Sequence, residues 1–414
     1  MLLALLLVLA GCDRAVSPTP LPSPDSASAT SAAVRAQRTQ AVLDQITGAA
    51  AASDQRRFRD AVSERDPSFA GRAQMIFANL TSMPLTALRM TARPRVEALS
   101  AERRAVLGPD SWVQEVTVSW QLAADPSPAQ HTVWVTMLVT GDHEQLAGIT
   151  DGPGNAKQAD PLPLWWLEPV RVGRAGTAIT LVSDGGDAGQ AWARAADHAA
   201  AKVRARVGAT APDWSGRLVV EVPGSKEAFD QVLGARAGTY EQIAAVTRAD
   251  GANPGAAPIR IVINPSATGT LSDLGLSVLL AHEATHVATH SVDSPAPSWA
   301  LEGFADYVAY AAYPSALRAG AGALNTRVRA SHIPRHLPSD ETFRGTSKGL
   351  DLAYAEAWLA CRYVADEYSP EALNRLYRQL DQGRSLDQAS RSVLGISADR
   401  FTAEWRRYVS ALAG

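Results

Sequence analysis

The sequence predicts an α+β protein with two globular regions, and three observations support this fold class. A chain of 414 residues is longer than one ordinary domain. The hydrophobic fraction of 46% and the charged fraction of 20% are typical of globular proteins, which excludes wholesale disorder. Stretches in which apolar residues recur with the period of a helix and stretches in which apolar and polar residues alternate occupy separate blocks of the sequence. The net charge of −3 gives no reason to expect a nucleic acid partner.

The chain begins with an apolar run, Leu2 to Ala10, which is shorter than the ~20 residues that cross a bilayer. The run ends in Leu9-Ala10-Gly11-Cys12, which resembles the lipobox of bacterial lipoproteins. In that family the Cys becomes the mature N-terminus and its thiol carries a lipid. The resemblance implies a signal peptide over residues 1–12, lipidation of Cys12 and an extracytoplasmic protein anchored to the membrane by this lipid. No basic residue precedes the run, so an ordinary secretory signal is the alternative.

Residues 13–33 are rich in Pro, Ser and Ala, and predict an extended tether that holds the folded body away from the membrane. The only other Cys is Cys361, which lies in the apolar pattern of a predicted helix. If Cys12 is lipidated, no intramolecular disulfide can form. We therefore predict that Cys361 is a buried structural thiol.

The first globular region is predicted over residues 34–185. Its helical patterns come first and cover Val34–Ala51, Asp54–Ser63 and Arg72–Met83. Its period-two runs follow and cover Val113–Trp120, Thr132–Leu138, Trp165–Val172 and Thr177–Val182. This order of helices and antiparallel strands resembles the ketosteroid-isomerase-like α+β roll. Because unrelated functions share that fold, the resemblance implies no activity.

The glycine-rich stretch Gly185–Gly189 is the predicted boundary, and the second region covers residues 190–414. Its pattern predicts helices over Gln190–Val207 and Lys226–Leu233, and strands over Arg217–Val222 and Ile259–Asn264. Almost everything after Leu274 has a helical pattern. The second region is thus predicted to contain a small mixed sheet followed by a helical half.

The helical run Ser277–Ala288 contains the motif His282-Glu283-Ala284-Thr285-His286. On a helix, residues four apart share a face, so both imidazoles can bind one metal ion. Glu283 would project beside the open coordination position. Alone, this motif also fits an ordinary helix with solvated polar side chains.

A second motif follows, Trp299-Ala300-Leu301-Glu302-Gly303. Its Glu302 lies 16 residues after His286. Together the two motifs resemble the gluzincin metallopeptidases, the group of thermolysin and the aminopeptidases. The resemblance implies a zinc ion held by His282, His286 and Glu302, with Asp306 supporting a ligand His. Since Glu302 and Asp306 are four residues apart on a helix, they face the same way, and we expect Asp306 to accept the N–H of His282.

Other residues compete for the place of the third ligand. His290 continues the helical series, but it would lie ~12 Å from His282 along the helix axis. His332 and His336 fall in a Pro-containing segment, and Asp293 lacks a helical partner. Glu302 is therefore the predicted ligand.

The gluzincin resemblance implies hydrolysis of peptide bonds, with Glu283 as general base for a zinc-activated water. Tyr354, in Leu352–Trp358, matches a Tyr that donates a hydrogen bond to the developing oxyanion in aminopeptidase-like gluzincins. A Tyr that merely packs on an amphipathic helix is the alternative interpretation. Glu356 stands where the family has a basic residue.

The segment Pro258–Asn264 alternates and precedes the HExxH helix, so we predict it to be the edge strand that pairs with extended peptide in gluzincins. Alternation would place Ile259, Ile261 and Ile263 on the core side and Arg260 and Asn264 on the other. No signature for binding a free α-amine is present, which favours an endopeptidase or a dedicated substrate over an aminopeptidase.

Two other functions remain open from the sequence. One is a non-catalytic surface lipoprotein with a structural zinc site and a ligand-binding first region, although such a site has no use for a general base at Glu283. The other is a small-molecule or isomerase activity in the first region. Its candidate residues, Asp110, Asp142 and His143, form no recognisable motif.

Overall fold

The computed structural model describes residues 24–153, 160–183, 188–208, 210–251, 255–315, 334–344, 347 and 349–413. Over these residues the chain has an α+β fold with one four-stranded and one five-stranded sheet, which confirms the predicted fold class. Cys12 and residues 13–23 of the predicted tether lie outside the described residues. None of the described helices is both long and apolar enough to cross a bilayer.

The N-terminal layer comprises four helices and an antiparallel sheet of strand order β1-β2-β3-β4. Side chains of Asp54, Asp66 and Ser100 accept backbone N–H groups at the starts of α2, α3 and α4. The elements are α1 (Pro24–Ala51), α2 (Gln55–Asp60), α3 (Pro67–Ser82), β1 (Leu85–Glu97), α4 (Ala101–Leu107), β2 (Ser111–Leu122), β3 (Ala129–Thr140) and β4 (His143–Gly148).

Helix α1 begins earlier than predicted, so residues 24–33 of the expected tether are helical. The reason is local: Pro fits the first turn of a helix, and the Ala residues that follow have high helix propensity. The extended-tether prediction is therefore wrong for this part of the segment.

The central sheet has the strand order β5-β6-β7-β9-β8 and is mixed, as predicted. The β5–β6 and β9–β8 pairs are antiparallel, whereas β6–β7 and β7–β9 are parallel. Its elements are α5 (Leu164–Leu167), β5 (Arg171–Ala175), β6 (Ala178–Val182), α6 (Ala188–Val207), β7 (Leu218–Val222), α7 (Lys226–Leu233), β8 (Ala245–Ala249) and β9 (Ile259–Ile263).

Two sequence predictions change here. The predicted strand Trp165–Val172 begins with a helical turn, α5, and only its last two residues belong to β5. Moreover, β5 and β6 belong to the central sheet, because β6 pairs in parallel with β7 through the crossover helix α6. The predicted boundary at residues 185–190 therefore does not separate two sheets. A period-two run reveals a strand but not the sheet that it joins.

Both faces of the central sheet are buried, which explains its nearly continuous apolar strands. On β7, Val220 packs with helices α6 and α9, whereas its neighbour Val219 packs with the N-terminal layer. On β9, Ile261 likewise packs on the side of helices α6 and α9, and Val262 packs on the side of the N-terminal layer. The central sheet thus lies between the N-terminal layer and the helices that follow it.

After β9 the described residues are mainly helical, as predicted. The helices are α8 (Pro265–Thr268), α9 (Asp273–Ala288), α10 (Ser298–Ala312), α11 (Leu350–Glu367), α12 (Pro370–Asp381), α13 (Leu386–Leu394) and α14 (Ala398–Ala413), with short 3-10 turns at Ser291–Asp293 and Asp340–Phe343. Helix α10 packs against both α9 and α11. Cys361 of α11 is buried, as predicted.

Candidate metal centre

Helix α9 carries the first three candidate residues. The Ser272 hydroxyl accepts the N–H of Gly275 and fixes the helix start. From Leu280 to its end α9 is buried, which explains why this helix is apolar around most of its circumference. His282, Glu283 and His286 are therefore polar groups in an apolar setting, with 9%, 5% and 8% of their surface exposed.

Helix α10 brings Glu302 and Asp306 to the same place. Its first turn is held by the Asp340 carboxylate, which accepts the N–H of Ser298 at 2.8 Å. Glu302 and Asp306 are four residues apart and share a helix face, and both lie against His282 of α9. The two motifs seen in the sequence thus lie on neighbouring helices.

Three potential ligand atoms converge in a small triangle. Nε2 of His282 lies 3.0 Å from Nε2 of His286, and Oε2 of Glu302 lies 3.1 Å from the first and 3.3 Å from the second. Ligand atoms of a tetrahedral zinc ion, each ~2.0–2.1 Å from the metal, are roughly 3.3–3.4 Å apart. The spacing and the donor set of two imidazoles and one carboxylate therefore fit zinc. Within the described part of the chain, this is the group of His, Cys, Asp or Glu side chains that could hold a metal.

Asp306 supports His282 from behind. Its Oδ1 lies 2.8 Å from Nδ1 of His282, so Nδ1–H donates to the carboxylate. Nε2 faces the other two potential ligands, and a metal bound there would replace its proton. Burial lowers the pKa of His282, but Asp306 and Glu302 outweigh burial and raise this pKa well above its usual value. Burial raises the pKa of Glu302, but the imidazoles of His286 and His282 outweigh burial and lower it below the usual range. Glu302 is therefore ionised, as a metal ligand must be.

Gly303 explains how α11 approaches this site. A Cβ at Gly303 would lie 2.3 Å from the carbonyl oxygen of Ala357, so only Gly allows the observed contact between α10 and α11. That contact places the ring of Tyr354 6.1 Å from the ring of His282. Burial, followed by Glu302, Asp306 and Glu283, raises the pKa of Tyr354 well above its usual value. Its hydroxyl therefore keeps its proton and can donate a hydrogen bond.

Glu283 points to the central sheet. Its Oε2 accepts a hydrogen bond of 2.6 Å from the hydroxyl of Thr247, on strand β8. The strand that borders this site is therefore β8, at the sheet edge, and not the predicted segment 258–264. That prediction is wrong, because β9 lies between β7 and β8, and Arg260 of β9 and Asn264 directly after it are both buried.

A cleft of about 240 Å³ joins these side chains. Besides the predicted residues it is lined by Thr247, Tyr240 and Phe343, which the sequence analysis did not identify. The ring of Phe343, in the second 3-10 turn, lies 5.5 Å from that of Tyr354. Thr247 lies in a short strand and Phe343 in a single turn, and neither segment has a sequence motif that marks it as part of a site. Their place in the cleft is therefore seen only in the folded chain.

The competing ligands lie elsewhere. His290 ends α9 in a left-handed conformation, with φ of 51°, and lines a separate cavity of about 530 Å³ that contains none of the three potential ligands. Asp293 belongs to the first 3-10 turn, outside the triangle, and His336 is exposed. His332 lies outside the described residues. The isomerase candidates Asp110, Asp142 and His143 are all exposed.

The sequence matches no protein-family model, and it matches no curated protein at a significant level.

Proposed function

We propose that the protein is a zinc-dependent metallopeptidase of the gluzincin type, with zinc held by His282, His286 and Glu302 and with Glu283 as general base. The triangle of three potential ligand atoms, 3.0 to 3.3 Å apart, is the observation that carries the proposal. An Asp behind one ligand His and a carboxylate beside the triangle, in an open cleft, add support.

Zinc held by His282, His286 and Glu302 would polarise the scissile carbonyl and acidify a water molecule. Thr247 donates to Oε2 of Glu283, which orients the carboxylate and leaves Oε1 for the proton of the water. Glu283 then passes this proton to the leaving amine. The neutral hydroxyl of Tyr354 donates to the oxygen on which negative charge develops.

The substrate class follows from the position of strand β8. Ala245, Val246 and Thr247 line the cleft, and within the described part of the chain β8 pairs with a strand, β9, on one side only. Its other edge can add an extended peptide as a further strand. We therefore propose an endopeptidase or a peptidase with a dedicated substrate, and a peptide or protein as its substrate.

The remaining proposals concern the N-terminal part of the chain. The lipobox-like segment ending at Cys12 supports a lipid anchor on the extracytoplasmic face of a membrane. The N-terminal layer, with its helices and four antiparallel strands, supports a ketosteroid-isomerase-like roll. The layout of central sheet and helices supports a gluzincin domain.

Substitution of Glu283 by Gln tests the peptidase proposal against a structural zinc site. Gln has the same shape and can accept the Thr247 hydrogen bond, but it cannot take a proton. We expect zinc content and thermal stability close to those of the wild type, with peptide hydrolysis lower by roughly 10²–10⁴-fold. Glu341→Gln, at an exposed position of the second 3-10 turn, is the control and should leave hydrolysis unchanged.

Both assays are needed, on wild type and variants alike: metal content by elemental analysis and cleavage of a peptide library. A wild-type protein that binds zinc firmly but cleaves no peptide would contradict the peptidase proposal and favour a structural site. Loss of zinc in the Glu283→Gln variant would show that Glu283 is a ligand and not the base.

A further inference from the structure

The most extensive buried charge cluster among the described residues lies between the N-terminal layer and the central sheet. We call it the charge network. All its side chains are at most 13% exposed and most are fully buried. Its members are Asp125 and His131 of the N-terminal layer, and Glu221, Arg248, Asp250 and Arg260 of the central sheet and the residue after β8.

The contacts cross between the two parts of the fold. Arg260 binds Asp125 through both ends of its guanidinium, with Nη2 2.7 Å from Oδ2. His131 lies 3.0 Å from Oδ1 of Asp250, and Arg248 lies 2.8 Å from the same oxygen. Nε of Arg260 lies 3.3 Å from the other oxygen of Asp250. Buried charges are tolerated only when they are paired, so this arrangement fixes the relative position of the parts.

Glu221 completes the charge balance. Both its carboxylate oxygens are buried without a hydrogen-bond partner. Burial, and then the charge of Asp250, raise the pKa of Glu221, which favours its neutral form. Asp125 and Asp250 are then the carboxylates that face the two Arg residues, with His131 also beside Asp250.

The charge network contacts β8, the strand that borders the cleft, at Arg248 and at Asp250 directly after it. Neighbouring residues of a strand point to opposite faces, and on β8 Arg248 points to the N-terminal layer while Thr247 points to α9. Asp250 directly follows β8, and its carbonyl oxygen accepts the N–H of Gln130 at 3.3 Å. Among the described strands, β8 lies at the sheet edge and pairs only with β9, so these contacts supply the support that a second strand neighbour would give.

We propose that the N-terminal layer positions the cleft. His131 holds Asp250, the residue after β8, directly, and Asp125 holds it through Arg260 of β9, so that Thr247 on the opposite face of β8 orients Glu283. Asp125, His131 and Thr247 are positioning residues in this proposal. The link to Glu283 rests on the proposed function, whereas the anchoring of β8 does not.

The first experiment measures the anchoring alone. Hydrogen–deuterium exchange of the full chain should be faster at the amides of residues 245–249 in Asp125→Asn than in the wild type. The control is Asp66→Asn, which removes a carboxylate paired with Arg103 at 2.8 Å inside the N-terminal layer. It should leave exchange at β8 unchanged. Equal exchange at β8 in wild type and Asp125→Asn would overturn the proposal.

The second experiment measures the link to Glu283. Thr247→Val should lower kcat on the order of 10-fold, with little change of KM or zinc content, and Thr247→Ser should restore it. The control, Thr180→Val on β6, removes a buried hydroxyl that donates to the carbonyl of Gly189 in α6, away from the cleft. If it folds poorly, Asp66→Asn serves as control here too.

A double-mutant cycle joins the two experiments. If Asp125 acts through Thr247, kcat of the double variant Asp125→Asn/Thr247→Val should exceed the value expected from multiplying the single effects. The link to Glu283 would be overturned if kcat of the double variant equalled the value expected from multiplying the single effects. It would also be overturned if Asp125→Asn had faster exchange at β8 but unchanged kcat. Where Asp125→Asn does not fold, His131→Gln replaces it in both experiments. A wild type without any hydrolysis would refute the proposed function, and exchange at β8 would still test the anchoring.

Discussion

Gly303→Ala tests whether close packing of α10 on α11 builds the candidate site. The added Cβ would lie 2.3 Å from the Ala357 carbonyl oxygen and 3.1 Å from Sγ of Cys361. Because the first neighbour is backbone, it cannot rotate away, and the helices must separate by roughly 1 Å to reach ordinary contact distance. Overpacking of this kind costs about 1–3 kcal/mol of the free energy of unfolding.

Helix propensity opposes this loss, since Ala is better than Gly by about 0.5–1 kcal/mol inside a helix. Gly71→Ala measures that gain alone, because Gly71 lies in α3 with no atom within 4 Å of its added Cβ. The difference between the two variants should therefore be about 1–3 kcal/mol, with Gly303→Ala less stable.

The assay is urea unfolding of both variants, with zinc affinity measured by competition with a chelator. Glu302 precedes Gly303, so the shift of α10 should also weaken zinc binding in Gly303→Ala but not in Gly71→Ala. Equal stability of the two variants, with equal zinc affinity, would refute the packing argument.

Three further predictions concern ligation, acid stability and anchoring. Glu302→Gln should weaken zinc binding far more than His290→Ala, and Asp306→Asn should weaken it on the order of 10–100-fold, in a chelator competition assay; the reverse order for Glu302 and His290 would contradict the assignment. Hydrogen bonds from Ser68 and Arg103 lower the pKa of Asp66 from 3.8 to about 2, so its contribution to stability is present above pH 4 and lost as the pH falls towards 2. Asp66→Asn should thus be less stable than wild type at neutral pH and equal to it below pH 2 in thermal unfolding; a constant difference would contradict this origin. Cys12→Ser should release the protein from the membrane fraction, and wild-type protein that is soluble and carries no lipid would exclude the anchor.

The residues of the candidate site could be read from the sequence because their signals are local. The spacing of His282 and His286 is a property of one helical turn, and Glu302 and Asp306 repeat it on the next helix. The contact between Asp306 and His282 joins the two turns, and it was expected from the same helical spacing.

The residues that the sequence analysis did not find depend on distant parts of the chain. Thr247 meets Glu283 only because β8 takes the sheet edge outside β9. Alternation within Ile259–Asn264 identified a strand but gave no strand order, so its edge position was wrong. Likewise alternation places Arg260 on the side opposite the core, but its side chain is buried, because it pairs with Asp125, 135 residues away.

The pairing of β6 with β7 has a consequence for any shortened form of the protein. A chain beginning at Gln190 would keep every candidate metal ligand but lose β5 and β6. Strand β7 would then expose a row of unpaired backbone N–H and C=O groups, along five residues that are all buried in the whole chain. Such an apolar edge invites pairing with other chains, so we expect this fragment to aggregate and not to accumulate as a smaller soluble protein.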